Sequence, residues 1–557
     1  MSISRRSFFR FAIAAGGSFG FVRHRVEEFF VRDFGAVGDG RTDDTDAISD
    51  AIRAAGVRGG AVRFAGGKTY IVSRSGTQAR NGVIWPFCLA IPNRVTLDLA
   101  GATIRQAAGQ NACVIVNAPW DGMRSRDIAV VNGTIDVNGT NQKFRDGIEQ
   151  AALGFSAIDR LRISGISVRD AVQYAGRFLA CDDADFLNLL CLRSLGDGWS
   201  FGIASAGQEL LNSRVDFIRA FDCAGRVNRP LQQGNGIILT AKRSQVGTLI
   251  QINCGGGIKV QDTSEEVEIG SVYVEGGRYG TENSGFKIQG GSAGTPNRIR
   301  AEIVSASENE GSGLFLHGCR DVSITSYLGL RNAKLGAHAH DVVIGGESST
   351  VAIHRLASRA CKGASVVAVF DNAHFALGEV VIHDPAAVGV LVFDGTGDIG
   401  ALEASDGLRP PNMREAFKVT GGGAGRVGQI RFGLEYSPGR RPLSIAPAAA
   451  GWTIGPVTMG DDSPAHGSTL LRPGVTTPVK SSAAWHYRVG SEKFLRPVFR
   501  LVAGNSAMRL LGVENVRCEA ERGELRSGFT LHHPPASGAE LIEWRIEGYQ
   551  VAESVRD

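Results

Sequence analysis

A glycine followed by apolar, any and apolar residues returns seven times between residues 236 and 392, and this recurrence constrains the fold more than any other feature. The units are Gly236-Ile237-Ile238-Leu239, Gly257-Ile258-Lys259-Val260, Gly285-Phe286-Lys287-Ile288, Gly313-Leu314-Phe315-Leu316, Gly336-Ala337-His338-Ala339, Gly363-Ala364-Ser365-Val366 and Gly389-Val390-Leu391-Val392. Their glycines lie 21, 28, 28, 23, 27 and 26 residues apart. That period is one coil of a parallel β-solenoid, whose repeats cannot bury an apolar face alone and must stack on their neighbours. Earlier copies fit at Gly154-Phe155, Gly176-Arg177 and Gly198-Trp199, and Phe417-Lys418-Val419 continues the series. Alternating runs such as Val267-Glu268-Ile269 and Val322-Ser323-Ile324 supply further strands within each coil. No amphipathic helix of useful length follows residue 55, which excludes a doubly wound sheet.

Lys plus Arg total 60 against 56 for Asp plus Glu, so no general electrostatic grip on nucleic acid is expected. Nine cysteines are scattered singly, without the paired spacing of a zinc site, and read as small buried hydrophobes. After Pro456 the period fails. Residues 456–474 read as a linker, and 475–557 as a small β-rich module. Within it, Trp485-His486-Tyr487 is either a sugar-stacking run or ordinary core.

The first 30 residues differ in kind. Ser4-Arg5-Arg6-Ser7-Phe8-Phe9-Arg10, followed by the weakly apolar stretch Phe11 to Val22, resembles a twin-arginine export signal. This implies a periplasmic or extracellular protein. The apolar stretch is too short to span a bilayer, and no integral membrane segment is expected in the mature chain. Next comes Val31-Arg32-Asp33-Phe34-Gly35-Ala36-Val37-Gly38-Asp39-Gly40-Arg41-Thr42-Asp43-Asp44-Thr45-Asp46-Ala47-Ile48, which reads as a strand, a glycine turn and a helix start. Thr42 or Asp43 would cap the helix, and Ile48, Ala51, Ile52 and Ala55 form its apolar stripe.

This run resembles the opening motif of the pectate-lyase-like superfamily, shared with polygalacturonase relatives and phage tailspikes. The likeness continues through Gly59 to Phe64, Thr69 to Val72, Val95 to Ile104 and Asn132 to Gly139. It implies an all-β right-handed parallel β-helix over residues 31–455, closed by an N-terminal capping helix, with the motif's aspartates structural. It also implies a polysaccharide partner, and it leaves room for calcium and for a tailspike-like trimer. The catalytic motifs of the family's hydrolase and epimerase branches are missing here; Gly257-Ile258-Lys259 alone resembles the R-I-K element of polygalacturonases.

The repeat itself nominates site residues. The third residue of each unit points outward, and coils stack about 4.8 Å apart, so equivalent residues form columns. One column reads Ile238, Lys259, Lys287, Phe315 and His338; the other reads Thr240, Gln261, Gln289, His317 and His340. Two close lysines repel, which would free one as a base for β-elimination beside a uronate carboxylate. Alternatively, they are solvated cations on a sheet face. Glu282 and Glu310, each three residues before a unit glycine, would approach the 5 to 5.5 Å spacing of a retaining glycosidase pair if the turns superpose, roughly one coil apart. Asp262, Glu275, Arg278 and Tyr279 share these coils, and Asp222, Arg226 and Arg229 lie on earlier ones. Three classes stay open: polysaccharide lyase, glycoside hydrolase, and a non-catalytic binding solenoid.

Overall fold

The computed structural model describes residues 27–433 apart from 81, 119–122, 206, 224–233, 279–284, 337–338, 347–348 and 406–412, and beyond them a set of strands between 443 and 551. The export segment, Glu282, His338 and Trp485-His486-Tyr487 lie outside the described residues.

The chain folds as a parallel β-helix. Each coil contributes a short strand and a longer one, and each pairs in parallel with its counterpart in the next coil. The short strands include Asp197–Phe201, Ile237–Leu239, Ile258–Gln261, Phe286–Gln289, Leu314–His317, His340–Gly345, Ser365–Val369 and Val388–Val392. The parallel ladder extends to the pairing of Phe432 with Met459, a few residues past the expected boundary. Beyond it, His466–Leu471, Leu495–Ala503 and Glu540–Val551 form a three-stranded antiparallel sheet, so the stretch read as a linker contributes a strand.

The described α-helix, Thr45–Arg58, buries Ile48, Ala51, Ile52 and Ala55, as their spacing predicts. It closes the first coil by packing on Glu28–Phe30, Gly60–Arg63 and Val95–Asp98. Its start is more tightly tied than the sequence suggests. Asp43 Oδ1 accepts the Thr45 amide at 3.0 Å, and Asp44 turns back to accept the amides of Val37 and Gly38 at 2.7 and 3.1 Å. Asp43 and Asp44 therefore stitch the turn to the helix.

The register corrects several repeat assignments. Trp199 pairs with Ile237, Ile237 with Ile258, Ile258 with Phe286, Phe286 with Leu314, and Leu314 with Val342. Gly154 and Gly176 fall two places and one place out of that series, since Gly154 pairs with Arg177 and Gly176 with Trp199. Gly336 and Gly363 are also displaced: Asp341 and Val366 hold the unit-glycine position of their coils. Phe286 is fully buried, as expected.

The unit glycine exists because its position faces polar atoms inside the solenoid. A Cβ on Gly285 would lie 2.8 Å from Asn309 Nδ2, and one on Gly313 would collide with the Tyr327 hydroxyl and the Asp341 carboxylate. Asp341 is fully buried and accepts from Tyr327 Oη at 2.5 Å, from Asn332 Nδ2 at 2.8 Å and from the Ser358 hydroxyl. Asn332 Oδ1 in turn accepts from Asn309 Nδ2 at 2.8 Å, and Asn309 Oδ1 from the Gly277 amide at 2.9 Å. Polar groups this deep are tolerated only because each finds a partner. All eight described cysteines are free and buried.

Removing the centre of this network should be costly. Asp341→Ala strands three buried donors and is expected to lower unfolding free energy by about 3 kcal/mol in urea titration. Asp341→Asn, which keeps two lone pairs as acceptors, should lose less. Equal stability of wild type and Asp341→Ala would show that the network does not hold the coils together.

Candidate functional site

Strand register defines one outward column: Gly154, Arg177, Ser200, Ile238, Lys259, Lys287, Phe315, Val343, Ala368, Leu391 and Lys418. A second runs through Gln261, Gln289, His317 and Gly345. Lys259, Lys287, Phe315, Gln261, Gln289 and His317 therefore do share a face, as expected. His338 and His340 do not continue the columns: Phe315 pairs with Val343 and His317 with Gly345, while His340 pairs with Ser365. The glycine spacing hid this because Gly336 lies in the turn five residues before the ladder position, which Asp341 holds.

Lys287 is not the solvated cation expected. It is 3% exposed, and its ammonium lies 5.7 Å from the centroid of the Phe315 ring. Phe315 also stacks on His317, with centroids 5.8 Å apart. Lys259 remains half-buried and accessible. Its charge partly counters the burial that raises the Asp262 carboxyl above the ordinary range. His317 leans over Gly345, where a Cβ would lie 3.0 Å from its ring, and its Nε2 is 3.6 Å from Asp371 Oδ2. Glu310 is half-buried in the turn before Gly313, its amide donating to Gly277 O at 2.9 Å.

A more reactive constellation, missed in the sequence, lies on earlier coils of the same face. Tyr174 pairs in register with Asp197, and Arg177 with Ser200. The Arg177 guanidinium sits 4.4 Å from the centroid of the Tyr174 ring, donates from Nη1 to Ser200 Oγ at 3.1 Å, and approaches Glu149 Oε2 at 3.9 Å. Glu149 is 5% exposed, and its Oε1 has no hydrogen-bond partner; neither has Arg177 Nε. Asp197 Oδ1 accepts the Asn235 amide at 2.6 Å.

The wall behind this cluster explains its electrostatics. The strand Val83–Ile91 joins the parallel ladder through Cys113–Asn117 and also forms an antiparallel hairpin with Gly76–Arg80, packing Trp85 and Phe87 with Cys113, Val116, Ala151, Tyr174 and Leu179. The Glu149 amide is held by Ile84 O at 2.9 Å, which draws its side chain out of water. Burial consequently raises the Glu149 carboxyl, with Arg177 offsetting part of the effect. Asp197 is pushed up to about 6 by burial, against the Asn235 hydrogen bond and the Arg177 charge. Burial likewise raises the Tyr174 hydroxyl, which stays protonated. Such shifted groups around one cation mark a functional site. The sequence signal was present in Tyr174 and Arg177, three residues apart, but the Gly176 unit had been set one place out of register and Glu149 and Asp197 lie beside turns.

Among the described residues no group of three or more His, Cys, Asp or Glu side chains converges where an ion could sit. The described residues therefore supply no carboxylate cluster for the calcium that the resemblance leaves room for. Nor is any helix among the described residues long and apolar enough to cross a membrane.

Residues 29–85 match the family described as rhamnogalacturonase A/epimerase, pectate lyase-like. That match covers the opening of the solenoid. Over 162 residues, 27% of this chain, the protein is 32% identical to alginate lyase 7 of Azotobacter vinelandii, a match that spans 17% of that relative's length. Two solved structures are similar in outline. The A-module of mannuronan C-5 epimerase AlgE6 from Azotobacter vinelandii aligns over 78% of this chain and 99% of its own, at 17% identity and a TM-score of 0.41. A tailspike protein of E. coli bacteriophage HK620, solved with a pentasaccharide, aligns over 93% of each chain at 12% identity and a TM-score of 0.49.

Arg177 and Glu149 should behave as a pair. Arg177→Ala leaves a buried carboxylate without its cation and is expected to cost about 3 kcal/mol at neutral pH, most of which Glu149→Gln in the same chain restores. Chemical unfolding of the two single variants and the double variant measures the coupling. Additive losses would mean that the two side chains do not interact.

Proposed function

We propose that the protein is an exported lyase that cleaves a uronate-containing polysaccharide by β-elimination. The observation that carries this reading is that Tyr174 pairs in register with Asp197 while the Arg177 guanidinium lies 4.4 Å from the Tyr174 ring, backed by the buried Glu149. Elimination makes three demands: a cation for the uronate carboxylate, a base for the proton on the adjacent carbon, and an acid for the departing oxygen. Arg177 supplies the first, its guanidinium geometry suiting a carboxylate. Asp197, with a carboxyl near pH 6, is ionised at neutral pH yet more basic than an ordinary aspartate, and takes the proton from C5. The C5 electrons form the double bond to C4, the C4–O bond breaks, and the leaving oxygen takes the proton of the Tyr174 hydroxyl. Glu149 holds Arg177 from behind.

The rest of the column binds the chain. Lys259 lies three coil steps from Arg177, about 14 Å along the axis, within reach of another carboxylate. Gln261 and Gln289 offer hydrogen bonds to hydroxyls. Lys287, buried over Phe315, fixes that ring in place. The partial similarity to an alginate lyase, an enzyme named for a polyuronate, supports the substrate class.

Incubation with a panel of uronate-containing and neutral polysaccharides tests the reading. Products with ultraviolet-absorbing unsaturated ends are expected from a uronate polymer. Asp197→Asn should lower the rate on the order of 100-fold or more. The wild-type rate should climb as pH rises through about 6, because Asp197 must be ionised to act, and then level off. Saturated products with new reducing ends would establish hydrolysis instead, and would direct attention to the carboxylates, Glu282 and Glu310 included. No product from any polymer would leave the binding-only solenoid.

Export is tested separately. Replacing Arg5 and Arg6 together by lysine should retain the folded protein in the cytoplasm, read by fractionation. Unchanged export of that variant would remove the twin-arginine assignment.

A further inference from the structure

The chemistry of the outward face changes along its length. On the early and middle coils the column carries Arg177, Lys259 and Lys287. Beyond Phe315 it carries Val343, Ala368 and Leu391, and the next cation, Lys418, is held by Glu415 at 3.2 Å. The second column changes in the same way. Past His317 and Gly345 it reaches Phe370 and Phe393, each one residue beyond the paired Val369 and Val392. Their amides continue the ladder, Phe370 N donating to Ile344 O and Phe393 N to Val369 O, each at 2.9 Å.

These two rings form a platform. Their centroids are 4.4 Å apart with planes 14° from parallel, and His340 meets both edge-on at 5.6 and 6.5 Å. His340 is itself fixed by a 2.8 Å contact between Nδ1 and Ser365 Oγ. Phe393 is 36% exposed, a large apolar side chain left in water. Each ring is followed directly by a carboxylate: Asp371, which is exposed, and Asp394, which accepts the Asn372 amide at 3.3 Å.

We propose that Phe370 and Phe393 are a subsite for an uncharged sugar unit of the same chain whose uronate is held at Arg177, which makes the substrate a mixed polysaccharide of uronate and neutral sugars. This rests on the reading of the face as a polysaccharide groove. The apolar surface that Phe393 leaves exposed packs against the C–H face of a pyranose. Asp371 and Asp394 accept hydrogen bonds from ring hydroxyls and repel a carboxylate placed there. An all-uronate chain would satisfy Arg177 and Lys259 but set charge against charge at Phe370.

Affinity electrophoresis of the full-length protein tests this, with gels containing polygalacturonate or alginate as all-uronate chains, and gellan, xanthan or hyaluronan as chains with one uronate per repeat. Wild type should be retarded most by a mixed chain. The double variant Phe370→Ala/Phe393→Ala should lose that retardation about tenfold, while changing less than twofold on the all-uronate gels. Asp371→Asn/Asp394→Asn, which leaves the rings in place, should increase retardation by polygalacturonate. Retardation by acidic chains that neither double variant alters overturns the subsite but leaves the groove standing. Absence of retardation in every acidic gel overturns both.

Discussion

Everything in this protein is organised by the parallel hydrogen-bond ladder, which sets successive coils about 4.8 Å apart and puts equivalent residues of every coil in line. Inward columns must be apolar or fully partnered, because each is enclosed by the coils above and below. That requirement produces the runs of Phe, Leu, Ile and Val beneath the outward face. It also accounts for the buried chain of Asn309, Asn332, Tyr327, Asp341 and Ser358, in which each polar group supplies the next with a partner. Gly285 and Gly313 follow from the same geometry, since a Cβ at either would lie too close to Asn309 or to Tyr327 and Asp341.

Outward columns escape that requirement, so they are where chemistry can vary from coil to coil. The decisive variation is the hairpin Gly76–Arg80 and Val83–Ile91, a local departure from the parallel pattern. By packing Trp85 and Phe87 against Tyr174 and holding the Glu149 amide at Ile84 O, it shields Tyr174 and Glu149 from water and leaves Arg177 to balance the Glu149 charge. The same polar residues on a bare sheet face would titrate as ordinary solvated groups. A solenoid thus acquires a reactive centre through what is laid over it, while the repeat beneath stays uniform.

Along the same face, cations give way to aromatic rings flanked by aspartates. A chain lying parallel to the axis meets these environments in a fixed order, because the ladder fixes the spacing of the columns that carry them. Reading charge in this order, rather than as an average over the surface, is what connects Arg177 at one end with Phe393 at the other.

The periodic glycines and alternating apolar residues were enough to establish a parallel solenoid, its capping helix and the shared face of Lys259, Lys287, Gln261, Gln289, Phe315 and His317, because those features depend on local spacing alone. Three other matters depended on contacts remote in sequence. Gly336 and Gly363 lie five and three residues before the ladder positions held by Asp341 and Val366, so Val343 and Gly345 complete the columns. Lys287 proved buried, with its ammonium over the Phe315 ring of the next coil. And the cluster of Glu149, Tyr174, Arg177 and Asp197 showed in the sequence only as Tyr174 and Arg177 three residues apart, since its members come from separate coils and turns and the burial that raises Glu149, Tyr174 and Asp197 is made by contacts remote in sequence. Periodicity determines which residues face outward; only the folded coils determine which of those are dry, and dryness is what turns a carboxylate into a base.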